Sequence, residues 1–221
     1  MGRRFLITGT DSRVGKTTVG CALGFAFRSR GMRVGVMKPV ETGCAEVGGE
    51  LQALDATALA LAAGSQLPAE FICPYRYRSP LASAAAADAD HLPPPNIDNI
   101  ARCFHEIAAQ TDAMLVESAG ELATPLNSDA DFADLAALLG LEVLVVIGNR
   151  PGCVDAAMLT LAHAENHRLT IAGYILCDSD PGSSPAMERN ADSLITFTNG
   201  RYLGRMRHRE PLAKTIVEQL L

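Results

Sequence analysis

The segment ITGTDSRVGKTT, residues 7–18, constrains this chain more than any other stretch of it. It joins a short apolar run, residues 3–8 (RRFLIT), to a stretch with helical apolar spacing at Val19, Ala22, Leu23 and Ala26. Its glycines give a tight turn whose backbone N–H groups can converge on anionic oxygens, and the following helix adds its positive N-terminal end. Lys16 supplies a mobile cation for β and γ phosphates, and Thr17 a hydroxyl for Mg²⁺. The spacing departs from the usual G-x-x-x-x-G-K-T, because Gly9 stands six residues before Gly15 and Thr10 holds the usual first-glycine position. The strand before and the helix after supply the context this motif needs. The stretch Thr10, Asp11, Ser12, Arg13, Val14, Gly15, Lys16, Thr17 and Thr18 is thus expected to hold a nucleoside triphosphate with Mg²⁺.

Beyond the loop, strand-like and helix-like patterns alternate. Strands are expected at 3–8, 33–38, 114–117, 142–147 and 170–176, and helices at 15–30, 55–63, 96–110, 131–139, 154–167, 185–196 and 211–221. Residues 64–95 carry no clear pattern. The alanine-rich stretch 82–90 reads as a mobile loop, the run RMRHR at 205–209 as solvated surface, and the apolar residues of 135–139 as core. Strand–helix alternation calls for a parallel sheet with helices on both faces and right-handed crossovers, an α/β fold of the P-loop type. Ligands of such sheets bind beyond the carboxyl ends of the strands. With 221 residues and no internal repeat or linker, one domain over 1–221 is expected.

Composition narrows the function classes. Hydrophobic residues make up 48%, enough to fill a sizeable core, and the formal charge of −6 with no long basic run argues against nucleic acid as a main partner. No stretch of about 18 apolar residues suggests a membrane span. The N-terminus lacks a signal-peptide core, and Leu6 stands where a myristoylation motif wants Ser or Thr. Six cysteines at 21, 44, 73, 103, 153 and 177 form no C-x-x-C pair. They read as buried reduced thiols in a cytoplasmic protein.

The remaining candidates stand at strand ends. Glu117 ends an apolar strand, where a carboxylate can reach Mg²⁺ directly or through water, or simply meet solvent. Asp55 begins a helix, as an N-cap or as a second acidic ligand. Lys38 ends a buried strand before Pro39, as a snorkelling side chain or as a second cation over a transferred phosphoryl group. His163 and His167, four apart, share a helix face without an evident third metal ligand. A phosphate loop alone names no reaction, since switches, kinases, ligases and partition ATPases share it.

Taken together, ITGTDSRVGKTT, KPVETG at 38–43, LDATAL at 54–59, VESAGELATPL at 116–126 and GCVDAAMLT at 152–160 resemble the dethiobiotin synthetase family, in its order and spacing across nearly the whole chain. The resemblance implies an ATP- and Mg²⁺-dependent cyclo-ligase that carboxylates 7,8-diaminopelargonic acid with CO₂ and closes the ureido ring, working as a homodimer. It further implies Thr17, Asp55 and Glu117 as Mg²⁺ ligands and Lys16 and Lys38 at the transferred phosphoryl group. Thr42 is implied near the carbamate, Gly152, Cys153 and Asp155 near the substrate, and Cys177 near the base. Four positions depart from the family pattern. Ser118 and Glu121 replace glycines of E-G-A-G-G and would narrow the site if backbone must approach ligand there. Asp155 stands where some members have an Asn contacting the substrate carboxylate, and Cys177 where some have an Asn reading adenine. A relative activating another carboxylate, or a regulatory nucleotide-binding module, stays open beside this reading. The short chain leaves no room for a glutaminase domain, which weighs against a cobyrinate-type amidation.

Overall fold

The computed structural model describes residues 2–182, 184–198 and 201–221. Six strands form one parallel sheet: β1 (Arg3–Gly9), β2 (Val34–Met37), and four more separated from β2 by smaller elements. Those smaller elements are β3 (Val40–Glu41), β4 (Ala45–Val47), β5 (Glu50–Gln52), α2 (Leu54–Ala63), α3 (Ala69–Ile72), β6 (Tyr75–Arg76), α4 (Ser83–Ala89) and α5 (Ile97–Ala108). Helix α1 (Lys16–Arg28) follows β1. The second half holds β7 (Ala113–Glu121), α6 (Phe132–Leu139), β8 (Glu142–Gly148), α7 (Cys153–Asn166), β9 (Ile171–Cys177), α8 (Pro185–Phe197), β10 (Tyr202–Met206) and α9 (Lys214–Gln219). The sheet order is β10-β9-β8-β1-β7-β2, with every pairing parallel. β1 is central, so the chain's excursions to the two sides part at its carboxyl end, where a crevice opens.

The period-2 alternation of the buried strands divides the core. Phe5, Ile7, Leu115, Leu144 and Val146 face α1, α2 and α9, packing with Val19, Leu23, Phe27, Leu59 and Ile216. Leu6, Met114 and Val116 face the opposite layer, with Ile100, Phe104 and Leu135 of α5 and α6. Val143, Val145 and Ile147 pack under α7 and α8 on that same side. Within the expected core of 135–139, Leu135 and Leu139 are buried but Leu138 points to solvent.

Three expectations need correction. Residues 82–90 are not a loop: α4 forms there, because alanine is the strongest helix former and Ala86 and Ala87 are buried against α5's layer. Asp90 fastens the helix end to the preceding turn, its carboxylate accepting from Ser79 Oγ at 2.5 Å and Arg78 N at 2.5 Å. The run at 205–209 is not all surface: Arg205 and Met206 belong to β10, the sheet's edge. Arg205 pairs with Asp178 at 2.9 Å and Glu188 at 3.2 Å, so its charge is neutralised inside rather than solvated. The strand expected at 114–117 continues to Glu121 in β7.

Candidate active site

The loop between β1 and α1 is shaped by what packs beneath it. Val14 is buried under the turn, and a Cβ on Gly9 would sit 2.7 Å from a Val14 methyl and 3.2 Å from the Asp11 carbonyl oxygen. That packing accounts for a glycine one position earlier than usual. Gly15 caps α1 with φ +100°, a left-handed conformation, and its missing Cβ would also meet Cys177 Sγ at 2.7 Å. No side chain caps α1, so its first amides face the open end of the crevice. The Thr10 amide donates to the Val146 carbonyl at 3.1 Å, and the Ser12 amide to Asp11 Oδ1 at 2.6 Å. Asp11 also pairs with Arg150 beyond β8, which fastens the loop to the neighbouring strand's exit. Lys16 folds back along the loop, Nζ donating to the Asp11 carbonyl at 3.1 Å. Thr17 is half-buried and Thr18 exposed.

Strands β2 and β7 and the starts of α1 and α2 bring the charges together. Thr17 Oγ1 donates to Glu117 Oε1 at 2.8 Å. Lys38 Nζ donates to the same Oε1 at 2.7 Å and to Asp55 Oδ2 at 2.5 Å. Glu117 is only 1% exposed, the Lys38 side chain 6% and that of Asp55 47%. Burial pushes the Glu117 carboxyl above its ordinary value, against Lys38 and the Thr17 hydroxyl, which pull it down. Burial alone would lower the Lys38 ammonium, but Glu117 and Asp55 outweigh it and raise it. Burial lowers Lys16, partly offset by Glu117 and Glu121.

Sequence reasoning did not single out Glu41, which decides what Asp55 can do. α2 begins after Ala53, which has no capping side chain. The buried Glu41 carboxylate does that work from a distance, accepting from Asp55 N at 3.0 Å and Ala56 N at 2.9 Å. Asp55 is thereby released from capping its own helix and turns to Lys38. A buried charge inside KPVETG was the available signal.

A cavity of about 730 Å³ beside this cluster is lined by residues 12, 13 and 15–18 of the phosphate loop together with Lys38, Thr42, Asp55, Glu117 and Cys177, whereas Thr10, Asp11 and Val14 of the expected nucleotide set do not line it. Gly152, Cys153 and Asp155 lie at the start of α7 and do not line this cavity. Cys177 ends β9 beside Gly15, and burial pushes its thiol up to about 11. Arg207, His208 and Arg209 continue the wall past β10. Ser118 does not narrow the cavity: its buried hydroxyl turns away, donating to the Gly120 carbonyl at 2.6 Å and pairing with Thr8 Oγ1 at 3.0 Å. Glu121 binds Thr124, its own backbone N–H and carboxylate both reaching that hydroxyl.

Open helix amides, two lysines and two carboxylates around one cavity suit the binding of a polyphosphate and the transfer of a phosphoryl group. The donors suit Mg²⁺ as well. Thr17, Asp55 and Glu117 offer hard oxygen atoms, and Glu117 Oε2 is buried with no hydrogen-bond partner among the described residues.

The chain matches the sequence profile of a family described as an AAA domain over residues 3–215. It is 40% identical over 211 residues to the ATP-dependent dethiobiotin synthetase BioD of Anaeromyxobacter dehalogenans strain 2CP-C, covering 96% of this chain and 88% of that one. Among solved structures it superposes on a plasmid partition protein of Borrelia burgdorferi B31 bound to AMPPNP, with TM-score 0.54 at 12% identity, covering all of this chain and 97% of that one. It also superposes on chloroplast FtsY of Physcomitrella patens, with TM-score 0.55 at 17% identity, and spans 66% of that chain's length. Those two likenesses carry the fold alone, that of P-loop nucleotide-binding proteins. The match to BioD over nearly the full length carries more: the chain belongs to the dethiobiotin synthetase family and is an ATP-dependent ligase of biotin biosynthesis.

Proposed function

We propose that this chain, acting as one catalytic domain over residues 1–221, uses ATP and Mg²⁺ to carboxylate 7,8-diaminopelargonic acid with CO₂ and close the ureido ring of dethiobiotin. The observation that carries the reading is the convergence of Lys16, Thr17, Lys38, Asp55 and Glu117 on the cavity that Thr42 also lines. One amine of the substrate adds to CO₂, giving a carbamate. A carbamate oxygen attacks the γ phosphorus and ADP leaves. The second amine then attacks the carbamate carbon and expels phosphate as the ring closes. An anion attacking a triphosphate is a meeting of like charges, so cations placed on the transferred group lower the barrier. Lys16 and Lys38 supply them, the loop amides hold the β and γ phosphates, and Thr42 flanks the carbamate. Mg²⁺, held by Thr17, Asp55 and Glu117, would neutralise phosphate charge and orient the γ group.

The base rests against Cys177. Gly152, Cys153 and Asp155 serve the substrate of a neighbouring subunit in a homodimer, which fits their position outside the cavity of their own chain. The test is phosphate release with ATP, Mg²⁺ and CO₂, with and without the diamine, together with mass analysis of the product. Release that needs both diamine and CO₂ and yields the cyclic urea supports the reading. Release indifferent to the diamine rejects it.

A further inference from the structure

His163 lies in the last turn of α7 and His167, one turn on, is its C-cap, their rings 4.4 Å from centroid to centroid. The structure supplies the third partner that the helix alone lacks. Asp131, the N-cap of α6, faces them, and one ligand atom from each of the three residues lies within 4.8 Å of the others. None of the three lines the phosphate-loop cavity.

We propose that Asp131, His163 and His167 form a second cation site, built for a zinc-type divalent ion and joining α6 to α7. Two imidazole nitrogens and one carboxylate oxygen are borderline-soft donors, suited to Zn²⁺, Co²⁺ or Ni²⁺, whereas Mg²⁺ prefers oxygen alone. The donors are held in place by partners of their own. His167 Nδ1–H donates to the His163 carbonyl at 3.0 Å, which leaves the lone pair on Nε2, as in metal-bound histidines. Asp131 Oδ1 is fixed by the amides of Ala133 at 2.7 Å and Asp134 at 3.0 Å. Its other oxygen, Oδ2, is thereby aimed at His163 Nε2, 2.7 Å away. An ion would replace the hydrogen between those two atoms, the imidazole carrying its proton on Nδ1 instead. Asp134 Oδ1, 3.6 Å from His167 Nε2, adds negative charge at the rim. The side chains of the three are 17–28% exposed, so an ion reaches them from solvent, and a fourth position is left for water.

The competing account is a helix cap with an ion pair and no metal affinity. Zn²⁺ alone, titrated into chelator-stripped full-length protein against a chromophoric chelator, separates the two. The site predicts one equivalent of Zn²⁺ that is lost in His163→Gln/His167→Gln. It also predicts affinity weakened about tenfold or more in His167→Gln alone, whose ring hydrogen-bonds its own helix and otherwise meets only the half-exposed Asp134 at 3.6 Å, so that its loss leaves the fold intact. Asp131→Asn keeps Oδ1 for both amides, so it retains the cap yet weakens Zn²⁺ binding. At about a hundredfold excess over Kd, Zn²⁺ raises the Tm of the wild type by about 5 °C or more, and not that of the double variant. Equal stoichiometry and affinity in wild type and both histidine variants, or a Zn²⁺-indifferent Tm, would overturn the site.

Discussion

Lys38→Met tests the charge cluster at its most buried point. Methionine keeps much of the apolar stem but leaves Glu117, at 1% exposure, with the Thr17 hydroxyl as the donor to its Oε1. Removing one partner of a buried pair costs about 3–5 kcal/mol, because the other charge stays buried without compensation. Asp55 is half exposed and adds little, since water replaces the lost contact. The loss is therefore a large share of a domain's total stability of about 5–15 kcal/mol. It must also depend on pH. The Glu117 carboxyl already titrates above its ordinary value of 4.5 in the intact protein, and without Lys38 it rises further. An acid whose folded pKa exceeds its unfolded one binds more protons when folded, so stability falls as pH climbs between the two values. The penalty should be larger at about pH 8 than at about pH 5, because protonation of Glu117 removes the need for a cation. Urea unfolding without Mg²⁺, followed by circular dichroism at both pH values, measures it. Adding Glu117→Gln to Lys38→Met should recover most of the loss at high pH. A penalty below about 1 kcal/mol at high pH, or one unchanged by acid, would refute the reasoning.

Lys16→Ala should abolish phosphate release with the unfolding midpoint unchanged; turnover within about threefold of wild type would remove Lys16 from the chemistry. Glu41→Ala should lower stability by about 1–2 kcal/mol, the cost of a lost cap, and raise the Mg²⁺ concentration needed for turnover as Asp55 turns back to cap α2; an unchanged Mg²⁺ dependence would sink the second half. Cys177 offers only weak hydrogen bonding to a base, so kcat/KM for ATP should exceed that for GTP or CTP by less than about a hundredfold, or ~2.7 kcal/mol, and Cys177→Asn should widen the gap. Sedimentation should show a dimer at working concentration, and activity that survives complete dissociation on dilution would count against a shared substrate pocket.

The parallel sheet and the phosphate loop were legible because both are local. Short continuous apolar runs mark β1, β7, β8 and β9, and the loop's residues act on a ligand from consecutive positions. Elements held by distant partners were not. β10 reads as a basic run until Asp178 and Glu188 are seen to neutralise Arg205. α4 reads as low complexity because its alanines say nothing of what lies beneath them. Asp55 reads as an N-cap or a second acidic ligand, and spacing leaves the two open because Glu41, 14 residues earlier, cannot be assigned the capping from sequence. The histidine pair lacked a third ligand because Asp131 lies 32 residues away from His163.

The meeting of Lys38, Thr17 and Asp55 at Glu117 follows from register and parity, which the sequence contains but does not reveal alone. β2 pairs with β7 so that Met37 stands opposite Val116, and β1 pairs with it so that Ile7 stands opposite Glu117. The next residue of β2's strand path, Lys38, therefore arrives at the height of Glu117. Leu115 faces the layer of α1 and α2, so Glu117, two residues on, faces that layer too. There Thr17 opens α1, and Gly20 of the same helix passes so close that a Cβ would lie 3.8 Å from Glu117 Oε2. Ser118, one residue on, must point to the other layer, where its hydroxyl finds Thr8. A family glycine replaced by serine at that position thus costs the cavity no room, because the side chain lies on the wrong side of the sheet to enter it. A one-residue slip between β7 and its neighbours would exchange the two fates, burying the carboxylate in the layer of Leu6, Phe104 and Leu135 and leaving a hydroxyl where the charge is needed.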